Sequence, residues 1–356
     1  MDLLILLLLL VTVYGAKVSV SGHEDYIGRG QTDSIKWIFA VIILFSHMRN
    51  YLPEPGEHDR IYYAVLDAIG QLMVVMFMLY SGYGVMESLK RDRKKYLSTF
   101  ISHRLLKVWL MFAIAVFLFL ILDLALGANY GVKNYALCWI GWESIGNSNW
   151  FVFDILILYL LTYTTLRIAD RQGWDLKKCA IGVFATVILF DLFLRTAGKE
   201  SYWYDTIVAY PVGMLYSLYK KPIEEHTRGW RRVVWFLIMA GLYAVFNYVS
   251  LSDLLQANGG LKMINHLVYI FTSSFFALAL VIVTMTLKLD NKALRWLGVN
   301  AFAIYVLQRL AMIICTHFGL NDNALIFSAI VIPLTLLIAA LFTAGTNRLN
   351  SYLFKK

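Results

Sequence analysis

The stretch KWIFAVIILFSH, residues 36–47, sets ten apolar or small residues between two basic side chains, Lys36 and His47. A run of this kind predicts a membrane-crossing helix, because about 20 apolar residues span a hydrocarbon core roughly 30 Å thick. At 1.5 Å per residue, eleven steps place His47 about 16 Å above Lys36, close to the middle of the membrane. An ionisable side chain at that depth is costly, so its presence indicates either a function or a hydrogen-bonded structural role.

Apolar runs like this one recur along the whole chain of 356 residues, of which 60% are hydrophobic and only 15% charged. This composition fits lipid as the main solvent and is a poor match to a water-soluble surface. The sequence therefore predicts an all-α, polytopic membrane helical bundle with about ten transmembrane helices. The predicted spans are 35–52, 61–86, 108–126, 150–167, 179–195, 202–219, 233–251, 263–287, 296–318 and 324–345.

Lys and Arg are distributed unequally between alternate loops of this arrangement. One set of loops, with the C-terminal tail, carries 22 of them, and the other set carries 6. Basic loops resist translocation, so the first set is predicted to be cytoplasmic and the C-terminus with it. The expected location is the cell membrane, in a multi-pass arrangement. The net charge of +9 lies in these short loops and not in a soluble module, which argues against nucleic acid as a partner and leaves membrane lipid.

The first residues form a separate segment. Leu3 to Val13 is apolar except for Thr12, yet it is short for a span and lacks the basic start of a signal peptide. An additional tilted helix with its N-terminus outside is favoured over an interfacial segment, and both stay open. We therefore divide the chain into a hydrophobic segment and linker at 1–29, a transmembrane domain at 30–345 and a cytoplasmic tail at 346–356.

Further motifs accompany the pair Lys36 and His47. The second span contains FMLYSGY at residues 77–83, and a basic loop then leads to Arg104 and Lys107 at the entry to the third span. In this order the motifs resemble those of the acyltransferase 3 family of bacterial membrane O-acyltransferases. Two departures are visible: the Phe-to-Ser distance is one residue longer, and Lys107 stands where the family has a second arginine. Lysine cannot make the forked contact of arginine.

The resemblance continues through the second half and covers residues 30 to about 345. The segment NWFVFD at 149–154 is similar to the family's Trp-Phe/Tyr opening of a middle span. LGVNAFAIY at 297–305 is similar to its Leu-Gly-x-x-Ser-Phe-x-x-Tyr motif. Many members then have a histidine where this chain has Gln308, so no proton carrier is assigned there.

What the resemblance implies is acyl transfer, by default of an acetyl group, from acetyl-CoA to a hydroxyl of a cell-surface or exported carbohydrate. His47 would be the catalytic base, and Asp154 would orient it or the acceptor. Acyl-CoA is the expected donor substrate and carbohydrate the acceptor, with no bound cofactor and no metal. The residues expected to bind donor or acceptor are Lys36, Arg104, Lys107, Ser81, Tyr83, Trp150 and Tyr305.

Other functions fit part of the same pattern. A polytopic transporter or flippase of a polysaccharide precursor would also use buried histidine and aspartate, although we find no internal repeat. A different membrane-bound acyltransferase fold with a histidine and asparagine pair is a third reading. The sequence leaves open the acceptor glycan, the acyl chain, the oligomeric state, and whether His47 is a base or is transiently acylated.

Overall fold

The computed structural model describes residues 1–14, 16–19, 21–53, 56–252, 254–255, 259–289 and 291–354. Within these ranges the chain is a helical bundle with one short antiparallel pair of strands, β1 (Ala16–Val18) and β2 (Leu287–Leu289). The all-α prediction is confirmed. The helices are α1 (Asp2–Val13), α2 (Arg29–Met48), α3 (Arg60–Ile69), α4 (Leu72–Phe100), α5 (Lys107–Leu126), α6 (Val132–Leu137), α7 (Trp150–Arg171), α8 (Leu176–Thr196), α9 (Ser201–Tyr204), α10 (Ala209–Leu218), α11 (Lys220–His226), α12 (Arg231–Ser250), α13 (Lys262–Thr286), α14 (Lys292–Val299), α15 (Ala301–His317) and α16 (Ala324–Leu353).

Among the described residues, six helical segments are long and apolar enough to cross a membrane. A seventh is added if α14 and α15, which bend by 71° at their junction, count as one span. The protein is therefore a polytopic membrane bundle, and the count of ten stays a prediction. The helix α2 carries three charged side chains near its start, and α10 has only ten residues, so neither meets this criterion of length and composition.

One of the six segments is a near-continuous helical path of 67 residues, Arg60–Leu126. Such a path would be about 100 Å long if straight, more than three membrane thicknesses. It is broken at Asp92, whose backbone angles of φ −161° and ψ 94° are not helical. The Asp92 carboxylate then accepts a hydrogen bond from the Lys95 N–H at 3.0 Å, as an N-cap does. The chain reverses there, in the basic loop.

The N-terminal helix α1 contacts α3, and its two ends are joined to different parts of the bundle. At its start, Asp2 Oδ1 accepts a hydrogen bond from the Tyr62 N–H at 2.8 Å. After its end, β1 pairs with β2, the strand whose Leu287 carbonyl accepts from Gln31 at the start of α2. With 12 residues α1 is short for a span, so an additional membrane-crossing helix stays a prediction.

Glycines allow two pairs of helices to pack closely, α4 with α10 and α14 with α2. A Cβ on Gly82 of α4 would collide with the Tyr210 carbonyl oxygen of α10, and one on Gly213 of α10 would collide with the Leu79 carbonyl oxygen. A Cβ on Gly298 of α14 would likewise collide with the Asp33 carbonyl oxygen of α2. Small residues at such crossings let backbones approach, a common device in membrane bundles.

Candidate active site

His47 lies in the last turn of α2, partly buried, and contacts side chains from two other elements. Its Nδ1 is 3.2 Å from Ser148 Oγ in the loop before α7 and 3.3 Å from Gln308 Nε2 in α15. The Tyr305 ring lies one helical turn before Gln308, with its centroid 6.3 Å from that of the imidazole. Because α2 begins at Arg29, seven residues before Lys36, the histidine sits at the far end of its helix.

The contacts of Nδ1 decide which nitrogen is free to act. The Gln308 amide has two orientations, and its Oε1 is buried without a hydrogen-bond partner among the described residues. Turned so that Oε1 faces His47, the amide accepts a hydrogen bond from Nδ1–H, and the Ser148 hydroxyl oxygen can accept one as well. Nε2 then carries the lone pair, the state required of a base.

A positive charge lies close to the imidazole. The Arg309 guanidinium is near enough to act on His47 electrostatically, and its Nη1 donates to the Gly146 carbonyl at 3.4 Å. Its Nε is buried without a partner in the described part of the chain. A guanidinium with a free buried N–H beside a histidine can bind a developing oxyanion.

A cavity of about 340 Å³, which we call the basic cavity, opens at the other end of the bundle. Arg29 and Lys36 line it from α2, and Arg104 lines it from the segment between α4 and α5. Ser81, Tyr159 and the backbone at Gly298 complete its walls. Asp33 also lines this opening, so three cationic side chains stand against one carboxylate, and the excess of positive charge favours an anionic ligand, such as a phosphate.

A second cavity of about 380 Å³ contains His47, and we call it the histidine cavity. It shares three lining residues with the basic cavity, namely Ile43, Val74 and Tyr305. The two cavities therefore meet at a common wall inside the bundle. The shared wall lies between the cationic opening at one end of the bundle and the histidine near the other end.

Arg104 owes its place in the basic cavity to an irregular helix. Residues Ile101–Leu106 form a π-helical segment, an uncommon structure that often marks functional sites. The Arg104 guanidinium is directed at the Tyr96 ring, with 5.9 Å between its central carbon and the ring centroid. Lys36 is held by Asp33, with Nζ 3.0 Å from Oδ1, and the same carboxylate lies 3.6 Å from Arg29 Nε.

The structure brings most of the remaining predicted residues to the two cavities. Ser81 lines the basic cavity, where its Oγ is 3.5 Å from the Tyr159 hydroxyl. Trp150 lines the histidine cavity, and Tyr305 lines both. Of the tyrosines near Ser81, Tyr83 packs instead against Tyr216, with ring centroids 6.3 Å apart.

Two further predicted residues, like Tyr83, do not line either cavity. Lys107 begins α5 and does not line the basic cavity. Asp154 is fully buried in α7, and neither of its carboxylate oxygens has a hydrogen-bond partner among the described residues. Among the described residues no hydrogen bond joins Asp154 to His47, so any effect of Asp154 on the histidine would be indirect.

Sequence reasoning missed Ser148, Arg309 and Arg29 as site residues. Ser148 and Gln308 are 101 and 261 residues from His47 along the chain, so no local pattern links them. Arg309 carried a signal that could have been used, because a charge inside the predicted span 296–318 is costly and needs a reason.

A family model described as "Acyltransferase domain", Acyl_transf_3, matches residues 30–344. The match covers most of the chain, and with the bundle and its two cavities it defines the class as membrane-bound acyltransferases. This chain belongs to the acyltransferase 3 family, and the suspected resemblance is confirmed. Neither the curated proteins nor the solved structures gave a match. Among the described residues, no cluster of three or more His, Cys, Asp or Glu side chains could hold a metal ion.

Proposed function

We propose that this membrane O-acyltransferase moves an acetyl group from acetyl-CoA to a hydroxyl of a cell-surface or exported carbohydrate. The observation that carries the proposal is the meeting of the basic cavity with the histidine cavity at Ile43, Val74 and Tyr305. A donor and an acceptor could enter from opposite faces and meet beside His47.

The basic cavity suits the donor. Coenzyme A carries phosphates, and Arg29, Lys36 and Arg104 supply three cations in or beside one opening. Arginine gives phosphate two parallel hydrogen bonds, while lysine acts as a point charge. With the phosphates held there, the thioester at the end of the pantetheine arm would extend toward Tyr305 and His47.

His47 suits the proton transfer. With Nδ1–H held by Gln308 or Ser148, Nε2 would take the proton of the acceptor hydroxyl as its oxygen attacks the thioester carbonyl carbon. The C–O bond forms, the C–S bond breaks, and the imidazolium returns its proton to the coenzyme A thiolate. Arg309 is placed to stabilise the negative carbonyl oxygen during this exchange. The products are the O-acetyl ester and free coenzyme A.

A transporter or flippase would also use two cavities that meet inside a bundle. Membership of an acyltransferase family favours group transfer, and the cationic opening of the basic cavity fits a donor that binds from one face. We therefore prefer the enzyme, in which the carbohydrate receives the acetyl group on the face opposite the basic cavity.

The test is acetyl transfer by the purified protein. Supplied with labelled acetyl-CoA and de-O-acetylated surface glycan, the wild type should form labelled ester, and His47→Gln should lower the rate by about 10² or more. His317→Gln, in the last turn of α15 and outside both cavities, is the matched control and should keep its activity. Near-normal transfer by folded His47→Gln would remove this histidine from the chemistry.

A further inference from the structure

A third cavity of about 470 Å³, which we call the distal cavity, lies beside the histidine cavity. Gln71, Leu251 and Tyr269 line both, so the two cavities are neighbours with a shared wall. Small-molecule sites commonly occupy 300–1,000 Å³. The distal cavity is therefore large enough to bind a ligand of its own, next to the point where the acceptor hydroxyl must lie.

One wall of the distal cavity is a fixed cluster of charged groups. The buried His266 of α13 has Nδ1 2.9 Å from Asp205 Oδ1 and Nε2 2.9 Å from Asp191 Oδ1. The Tyr204 ring packs edge-on against the imidazole, with centroids 5.0 Å apart. These contacts join α8, α13 and the turn between α9 and α10, which gives the cavity a rigid, preorganised side.

Other polar atoms at the distal cavity have no partner. Gln71 Nε2, a donor, and Asn265 Oδ1, an acceptor, are buried and lack hydrogen bonds among the described residues. Leaving such groups unpaired in a folded protein costs free energy, which a ligand with both donors and acceptors would recover. Hydroxyl groups offer both on one atom.

Charged groups of both signs surround the distal cavity. Lys199 and Lys262 line it together with Glu200 and the Asp205 carboxylate that contacts His266. Lys199 is also engaged by two aromatic rings, with Nζ 3.8 Å from the Trp142 centroid and 4.1 Å from that of Trp203. Burial there lowers the pKa of the Lys199 ammonium from its usual value. Such surroundings favour an uncharged, hydroxyl-rich ligand over a phosphate or a sugar acid.

We propose that the distal cavity binds a second, uncharged sugar unit of the acceptor, next to the unit that receives the acyl group. The acceptor is then an oligosaccharide or longer chain, and a single sugar lacks half of its contacts. This inference rests on the proposed function, because it takes the histidine cavity as the place of transfer.

The experiment compares acceptors of different length. De-O-acetylated surface glycan is cut by mild hydrolysis and separated into fragments of one, two and three sugar units. We expect kcat/KM to rise about tenfold or more between one and two units, the effect of about one additional hydrogen bond to a buried group. Asn265→Ala should bring the ratio of kcat/KM for two units to kcat/KM for one unit close to one. Asn129→Ala, in an exposed loop, should leave this ratio unchanged.

Equal kcat/KM for one and two units in the wild type would overturn the subsite without any variant, as would an Asn265→Ala ratio equal to that of the wild type. Fragment binding, measured by saturation-transfer NMR without acetyl-CoA, separates this inference from the proposed function. The subsite would be supported, even if no acetyl transfer occurred, by tighter binding of two-unit than of one-unit fragments to the wild type. Asn265→Ala should lose this difference.

Discussion

At the scale of single residues, the site depends on how His47 is held. Ser148 and Gln308 both contact Nδ1, which leaves Nε2 as the nitrogen that can carry the lone pair. His47 and Lys36 were predictable because they stand in one helix at a fixed spacing. Ser148 was not, because a contact between distant segments depends on how the helices pack and leaves no local pattern in the sequence. The charge of Arg309 inside a predicted span was visible in the sequence, but its place beside His47 was not, for the same reason.

Arg104 gives a prediction about the donor. Arg104→Ala should raise the KM for acetyl-CoA about tenfold or more, because a charge-assisted hydrogen bond contributes about 1.5 to 3 kcal/mol. Arg104→Lys should bring this KM only part of the way back to the wild-type value, since the forked contact is lost. Steady-state kinetics with varied acetyl-CoA measures both. Lys107→Ala is the matched control, because Lys107 does not line the basic cavity. An unchanged KM in Arg104→Ala would remove this residue from the donor site.

At the scale of helices, hydropathy located the apolar segments but not their breaks. The predicted span 202–219 is two helices, α9 and α10, with a turn at 205–208 between them, and 296–318 bends at Asn300. The predicted span 61–86 begins as α3 and continues as α4 after a turn at Gly70 and Gln71. A hydropathy profile records how apolar a segment is, whereas a break depends on close packing and on local hydrogen bonds.

The crossing of α4 and α10 gives a prediction about stability. Gly82→Ala should destabilise the fold by about 1 to 3 kcal/mol, because the added methyl group meets the Tyr210 carbonyl of the neighbouring helix. Gly241→Ala in α12 is the control, since a Cβ there meets nothing within 4 Å and alanine favours helix. Thermal melts in detergent should show a lower Tm for the first variant only. A melting temperature of Gly82→Ala equal to that of the wild type would contradict the close crossing of α4 and α10.

At the scale of the whole molecule, the proposed function assigns the donor and the acceptor to opposite faces of the bundle. The basic cavity lies among the loops rich in Lys and Arg, which the positive-inside rule places in the cytoplasm. We therefore propose a cytoplasmic C-terminus. Reporters fused near residues 93, 172 and 226 should report the cytoplasm, and those near 140 and 198 the exterior. If the two groups gave mixed results, the assignment of the faces would be wrong.

The central claim is that donor and acceptor reach His47 from opposite faces. The most direct test uses sealed proteoliposomes with one orientation of the protein, labelled acetyl-CoA only on the side of Arg104, and de-O-acetylated glycan only on the other. We predict labelled glycan from the wild type and from His317→Gln, and none above background from His47→Gln. Transfer that requires both substrates on the same side, or undiminished transfer by His47→Gln, would contradict the account.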